Sequence, residues 1–139
     1  LKIANGDEVG HNTNASAFIA NEAFNIQIPA GDSLAVNLSK SEKLPVPVSC
    51  GAHQWMKSYV LVRDNPYMGV SGEDGVLTIE DLPTGNWEFV VWHERSGCVK
   101  DAKRNGTSEV WTRGRVKFAI KPDENDLGTV EISADLLKK

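Results

Sequence analysis

Cys50, His53 and Met56 stand in the run Cys-Gly-Ala-His-Gln-Trp-Met, which places a thiol, an imidazole and a thioether within one short loop. Thiolate sulfur with imidazole nitrogen suits copper cycling between two oxidation states, and a methionine can add a long axial bond. With three His and two Met in 139 residues, this spacing after a given Cys arises by chance in about 3 of 10,000 cases. The run is therefore read as a metal loop. It supplies too few donors alone, and a second histidine must come from elsewhere. His11 is the favoured candidate, because the adjacent Asn12 is placed to hydrogen-bond across to the cysteine loop and lock the two segments together. His93 is the alternative. It continues the face of Trp87, Phe89 and Val91, where a histidine more often caps an apolar strand, and if it ligates, His11 drops out.

Cys50 and Cys98 permit one disulfide, or one metal thiolate and one bystander thiol. The ligand-like run around Cys50 favours the second arrangement. No nucleophile elbow, phosphate loop or zinc-hydrolase motif is present. Glu80 and Asp81 are adjacent, and neighbours on a strand point to opposite faces, so they make a poor catalytic pair. A binuclear copper centre would need a second cysteine in the same loop. Substrate turnover is accordingly not expected.

These residues need a rigid scaffold, and the chain is long enough for one domain with a sizeable core. Short runs rich in Val, Ile and Thr, separated by Gly, Pro, Asn and Asp, favour a β-rich fold. Alternation predicts strands at Phe24–Ile28 and Leu34–Leu38, joined as a hairpin through Pro29-Ala30-Gly31-Asp32. Val9 to Ala23 reads as a polar loop. Pro45 and Pro47 predict an edge strand or an extended arm before the cysteine loop, because proline donates no ladder hydrogen bond. Tyr59 to Arg63 and Met68 to Val70 read as strands. Asp74-Gly75 is a hairpin signal, with strands over Val76–Leu82 and Trp87–His93. Ser96 to Ser108 reads as a polar loop, Arg115–Ile120 and Thr129–Ile132 as a closing hairpin, and Ala134–Lys139 as a final turn. This many short strands predict an all-β sandwich or barrel.

The net charge of −4 argues against nucleic acid as a partner. Residues 95–117 carry seven basic and two acidic side chains, a net +5, which leaves −9 on the rest. This asymmetry would steer a charged partner, unless it is only a solvated loop. Asn14-Ala15-Ser16, Asn37-Leu38-Ser39 and Asn105-Gly106-Thr107 match the glycosylation acceptor pattern. No apolar stretch reaches the length of a membrane span. No basic start followed by an apolar middle is present, as expected of a mature or cytosolic chain.

Asn5-Gly6-Asp7, then His11-Asn12, then Cys50, His53 and Met56 resemble, in order, the cupredoxins, the small blue copper proteins of the plastocyanin and amicyanin type. The two-residue gaps on either side of His53 look like the short amicyanin-type loop. The resemblance covers about residues 1–63, and some eighty residues follow the loop. Asp74 to Ile79, Leu82 to Gly85 and Trp87 to Glu94 resemble the carboxypeptidase-regulatory or transthyretin-like strand pattern. Bacterial exported proteins that join a plastocyanin-like loop to this pattern are similar over most of the chain.

The resemblance implies an all-β Greek-key sandwich over residues 1–139, cupredoxin-like, with the ligand segments in 1–63 and additional C-terminal hairpins in 64–139. It implies one mononuclear type 1 copper held by His11, Cys50, His53 and, axially, Met56. The expected function is electron transfer to a redox partner protein in the periplasm or after secretion. The alternatives are a metal-free extracytoplasmic binding module and a copper carrier.

Overall fold

The computed structural model describes residues 1–138, and the final residue of the predicted C-terminal turn lies outside them. Among the described residues strands dominate, every strand pair is antiparallel, and the only helical pieces are two short 3-10 segments, Thr112–Gly114 and Ala134–Leu137. The chain is all-β, as its composition implies, in an arrangement of several sheets consistent with a β-sandwich. Among the described residues no helix is long and apolar enough to cross a membrane. Contacts divide the chain into two units, Leu1–Pro66 and Tyr67–Lys139.

The first unit holds β1 (Lys2–Ala4), β2 (His11–Ala15), β3 (Phe24–Ile28), β4 (Ser33–Ala35), β5 (Val46–Ser49) and β6 (Lys57–Val60). Its main sheet has the order β3-β2-β5-β6. The segment expected to be a polar loop thus contains an interior strand, β2. It pairs along its whole length with β3, from His11↔Ile28 to Ala15↔Phe24. The ladder is made by backbone amides, which polar side chains do not remove. Ser33–Ala35 does not form the expected hairpin with β3 and pairs instead with β1, Lys2↔Ala35 to Ala4↔Ser33.

β5 is likewise not an outer strand, although its proline-bearing part behaves like one. It meets β2 only at Asn14↔Ser49 and runs against β6 from Val46↔Val60 to Ser49↔Lys57. Pro47 therefore sits where one flank of the strand carries no ladder. Ala15, Ile28, Val46 and Cys50 are the buried apolar residues of this unit, and Asn5, Asn12 and Glu42 are buried polar ones.

Glu42 explains how the long connections are tied down. Its carboxylate accepts the backbone N–H groups of Ile19, Ala20 and Asn21 at 3.3, 2.9 and 3.0 Å, and the Asn21 side-chain amide at 2.9 Å. Burial raises its pKa, but these donors favour the anion more and hold it below the usual glutamate value.

The second unit holds β7 (Gly85–Val90), β8 (Trp92–His93), β9 (Gly97–Cys98), β10 (Asp101–Arg104), β11 (Thr107–Val110), β12 (Arg115–Ile120) and β13 (Val130–Glu131). β7 and β12 pair over six residues, and Phe89↔Val116 and Trp87↔Phe118 are among the pairs. Val99, Ala102, Trp111 and Val116 form the core, with Phe89, Val91, Phe118 and Ile132 against it.

Three expectations in this unit are corrected. Residues 68–70 and 76–82 form no strand, although Gly75 does sit in a turn closed by its N–H to the Gly72 carbonyl at 3.0 Å. The supposed loop at 96–108 contains β9, β10 and the start of β11, with Asn105-Gly106 as a hairpin turn at φ 50° and 80°. Positive φ at both central residues gives the tight turn that matches strand twist. β13 pairs with β10, Lys103↔Glu131, and not with β12.

Candidate metal centre

β2 opens with His11, and β5 ends at Ser49 with Cys50 as the next residue. These strands are neighbours in the sheet, so the two segments arrive at the same end of it. The loop from Cys50 to Met56 then folds back on itself. Cys50 N–H donates to the Met56 carbonyl at 3.1 Å, and Met56 N–H donates to the His53 carbonyl at 2.9 Å. Closing the loop this way restores the ladder at Ser49↔Lys57 and turns His53 back toward Cys50.

The cysteine sulfur lies 3.7 Å from His11 Nδ1 and 3.7 Å from His53 Nδ1, and the two Nδ1 atoms are 2.9 Å apart. His11, Cys50 and His53 thus form a group able to hold a metal ion. The distances fit one ion. Bonds of about 2.0 Å to imidazole and about 2.3 Å to sulfur together exceed every edge of this triangle, so one small cation reaches all three atoms. The donor set, one thiolate and two imidazoles, suits copper or zinc and is a poor one for calcium or magnesium.

Burial pushes the Cys50 thiol up, but the backbone N–H of Asn12, the His11 ring, and the backbone and ring of His53 stabilise the anion and bring it down to about 6. Hydrogen bonds to Cys50 and Asp7 raise the pKa of His11, against the lowering effect of its burial. The thiolate is the form that binds metal, and these surroundings favour it near neutral pH.

Asn12 performs the bridging role expected of it. Its Oδ1 accepts the Gly51 N–H at 2.7 Å and also the Cys50 thiol at 3.4 Å, and its Nδ2 donates to Asn25 Oδ1 at 2.7 Å. Position 51 is tight for a larger residue, because a Cβ there would lie 3.3 Å from Asn12 Oδ1 and the amide would have to shift.

Met56 is exposed. It lines an open cavity of about 520 Å³ together with Ile3, Asn5, Asp7, His11 and Cys50. Its side chain thus borders the same space as two of the three donors. The Trp55 ring lies 5.2 Å from that of His53 and is 79% exposed.

His93 and Cys98 belong to the second unit. His93 Nδ1 accepts the Arg95 N–H at 3.1 Å, a local turn contact. Cys98 faces Trp92 across the β8–β9 ladder, and both cysteines are free thiols. His11, the favoured second histidine, stands beside the sulfur within the first unit.

Two contributors were invisible in the sequence. Asp7 Oδ2 lies 2.8 Å from His11 Nε2, a role that nothing in the run Asn5-Gly6-Asp7 assigns to the aspartate. Asn25 orients Asn12 from β3, where nothing in the pattern Phe-Asn-Ile-Gln-Ile singles it out. No protein-family model, curated protein or solved structure matches the chain significantly.

Proposed function

We propose that the chain is a cupredoxin-like electron-transfer protein that holds one mononuclear type 1 copper with His11, Cys50 and His53, with Met56 as the axial ligand. The observation that carries this reading is the triangle of one sulfur and two Nδ1 atoms with edges of 2.9, 3.7 and 3.7 Å. Copper bound there would supply a one-electron couple.

The chain's own part is to keep that donor set from moving. His11 sits at the start of a strand laddered to β3, and Cys50 and His53 sit in a loop closed by two backbone hydrogen bonds. The Asn12–Gly51 bond joins the two pieces. A site that changes little between oxidation states needs little reorganisation when an electron passes. The exposed Trp55 ring against His53 offers a short contact route to the surface. A redox partner protein, an extracytoplasmic location and a Greek-key strand order belong to the same reading.

The open cavity beside Cys50 and Met56 favours a second reading, a copper carrier that hands its metal on. Copper loading of the oxidised protein with an absorption spectrum separates the two. Electron transfer requires an intense band near about 600 nm with Cu(II), abolished by Cys50→Ser. Uptake of Cu(I) without a coloured Cu(II) form would support the carrier. No copper uptake would leave an all-β binding module without a metal.

A further inference from the structure

The turn before β2 is organised by a buried amide. Asn5 Nδ2 donates to the Val9 carbonyl at 2.8 Å and lies 3.0 Å from the carbonyls of both Ile28 and Pro29. Its backbone N–H donates to the Asp32 carbonyl at 2.9 Å. With the amide nitrogen fixed, the oxygen has one direction left, and it accepts the Asp7 N–H at 3.0 Å. This is an Asx turn. It brings Asp7 Oδ2 to 2.8 Å from His11 Nε2.

A neutral imidazole carries one proton on two nitrogens, and an ionised carboxylate only accepts. The proton of neutral His11 therefore belongs on Nε2, beside Asp7. Nδ1 is left with its lone pair directed at the Cys50 sulfur and His53 Nδ1. The Asp7 side chain is 63% exposed and that of His11 only 11%. An ion pair so open to solvent adds little to stability. What it does fix is which nitrogen of a mostly covered ring faces the donor triangle.

We infer that Asp7 is a positioning residue that selects the Nε2–H form of His11 and aims Nδ1 at the metal position between Cys50 and His53, with Asn5 as the brace that holds Asp7. The inference rests on the metal-binding reading of that triangle. Groups that hold the second nitrogen of a ligating histidine fix its orientation and raise its basicity, and their loss typically weakens metal affinity about 10–100-fold.

The test uses the full chain and its Asp7→Ala and Asp7→Asn variants. Nitrogen-resolved NMR of the metal-free proteins at mildly alkaline pH reads the His11 tautomer, and competition titration with Cu(II) reads affinity. The wild type should carry its proton on Nε2. Asp7→Ala should become a tautomer mixture and bind copper about 10–100-fold more weakly. Asp7→Asn, which keeps an acceptor oxygen, should recover part of both. Thermal unfolding of the metal-free variants should match the wild type. Wild-type copper uptake with tautomer and affinity unchanged in Asp7→Ala would overturn the inference alone. So would weaker binding with the tautomer unchanged, since Asp7 would then only shape a turn. Absence of copper uptake by the wild type would overturn the metal reading and the inference together.

Discussion

Asn12 and Gly51 are joined by a 2.7 Å hydrogen bond from the Gly51 N–H to the Asn12 side-chain oxygen. This single contact ties the strand that carries His11 to the loop that carries Cys50 and His53. The His11, Cys50 and His53 donor atoms are therefore brought together by contacts of the fold itself.

Removing that tie should separate the two ligand segments. Asn12→Ala leaves the Gly51 N–H and Asn25 Oδ1 without their partner. Losing a hydrogen bond whose remaining partner can turn to water costs about 0.5–1.5 kcal/mol. Denaturant unfolding should show a loss in that range, and copper affinity should fall about tenfold as the loop loses its anchor. Gly51→Ala should act on the same contact from the other side. Its Cβ would meet Asn12 Oδ1 at 3.3 Å, so the expected result is a smaller loss of stability with a shifted copper spectrum.

The Cys50 thiol should titrate at about 6 in the metal-free protein, readable from the ultraviolet absorption of the thiolate. The donors around the sulfur stabilise the anion, so the thiolate fraction rises with pH through that value. His11→Ala removes the ring that shares Cys50 as a partner, and the midpoint should move up toward the ordinary 9.0 of a thiol. An unchanged midpoint in that variant would show that the ring does not act on the sulfur.

Glu42 should make the first unit sensitive to acid. Its pKa is lowered in the folded chain despite burial, because four N–H donors face its carboxylate. A group of this kind stabilises the fold fully above its unfolded pKa, and the benefit is lost as pH falls through the lower folded value. Thermal unfolding followed from neutral pH downward should show the wild type losing stability in the acid range. Glu42→Gln should start about 5 °C or more lower at neutral pH and show a flatter dependence below the ordinary glutamate value of 4.5.

Trp111 should matter most to the second unit. It is 4% exposed, packs with Val99, Ala102 and Val116, and donates from Nε1 to Glu109 at 2.8 Å. Trp111→Ala leaves both a cavity and an unpaired carboxylate oxygen. Truncations of this size cost about 3–5 kcal/mol, and denaturant unfolding should report it. The neighbouring Gly114 tolerates no side chain either, since at φ 73° a Cβ would lie 2.6 Å from the Val91 carbonyl.

The chemistry of the candidate site was legible in the residues because its donors are dense in sequence. Cys50 and His53 are three positions apart, and soft sulfur beside imidazole limits the ions that suit them. The β class was legible too, from apolar alternation at Phe24–Ile28 and turn residues between short runs. Strand partners were not. A polar stretch such as His11–Ala15 carries no apolar alternation, yet its backbone donors and acceptors still find a ladder on β3. β13 pairs with β10 because adjacency in space is settled by chain path, to which local pattern is blind.

The same distinction runs through the site. Sequence by itself determined which atoms could bind a metal, and even that Asn12 could bridge to the cysteine loop. Only the tertiary structure decided that His11 stands beside the sulfur, that Asp7 holds the far nitrogen of its ring, and that Asn25 holds the Asn12 amide. The physical reason is that donor identity is a local property of side chains, whereas the few ångströms that turn donors into a site depend on contacts between segments almost forty residues apart.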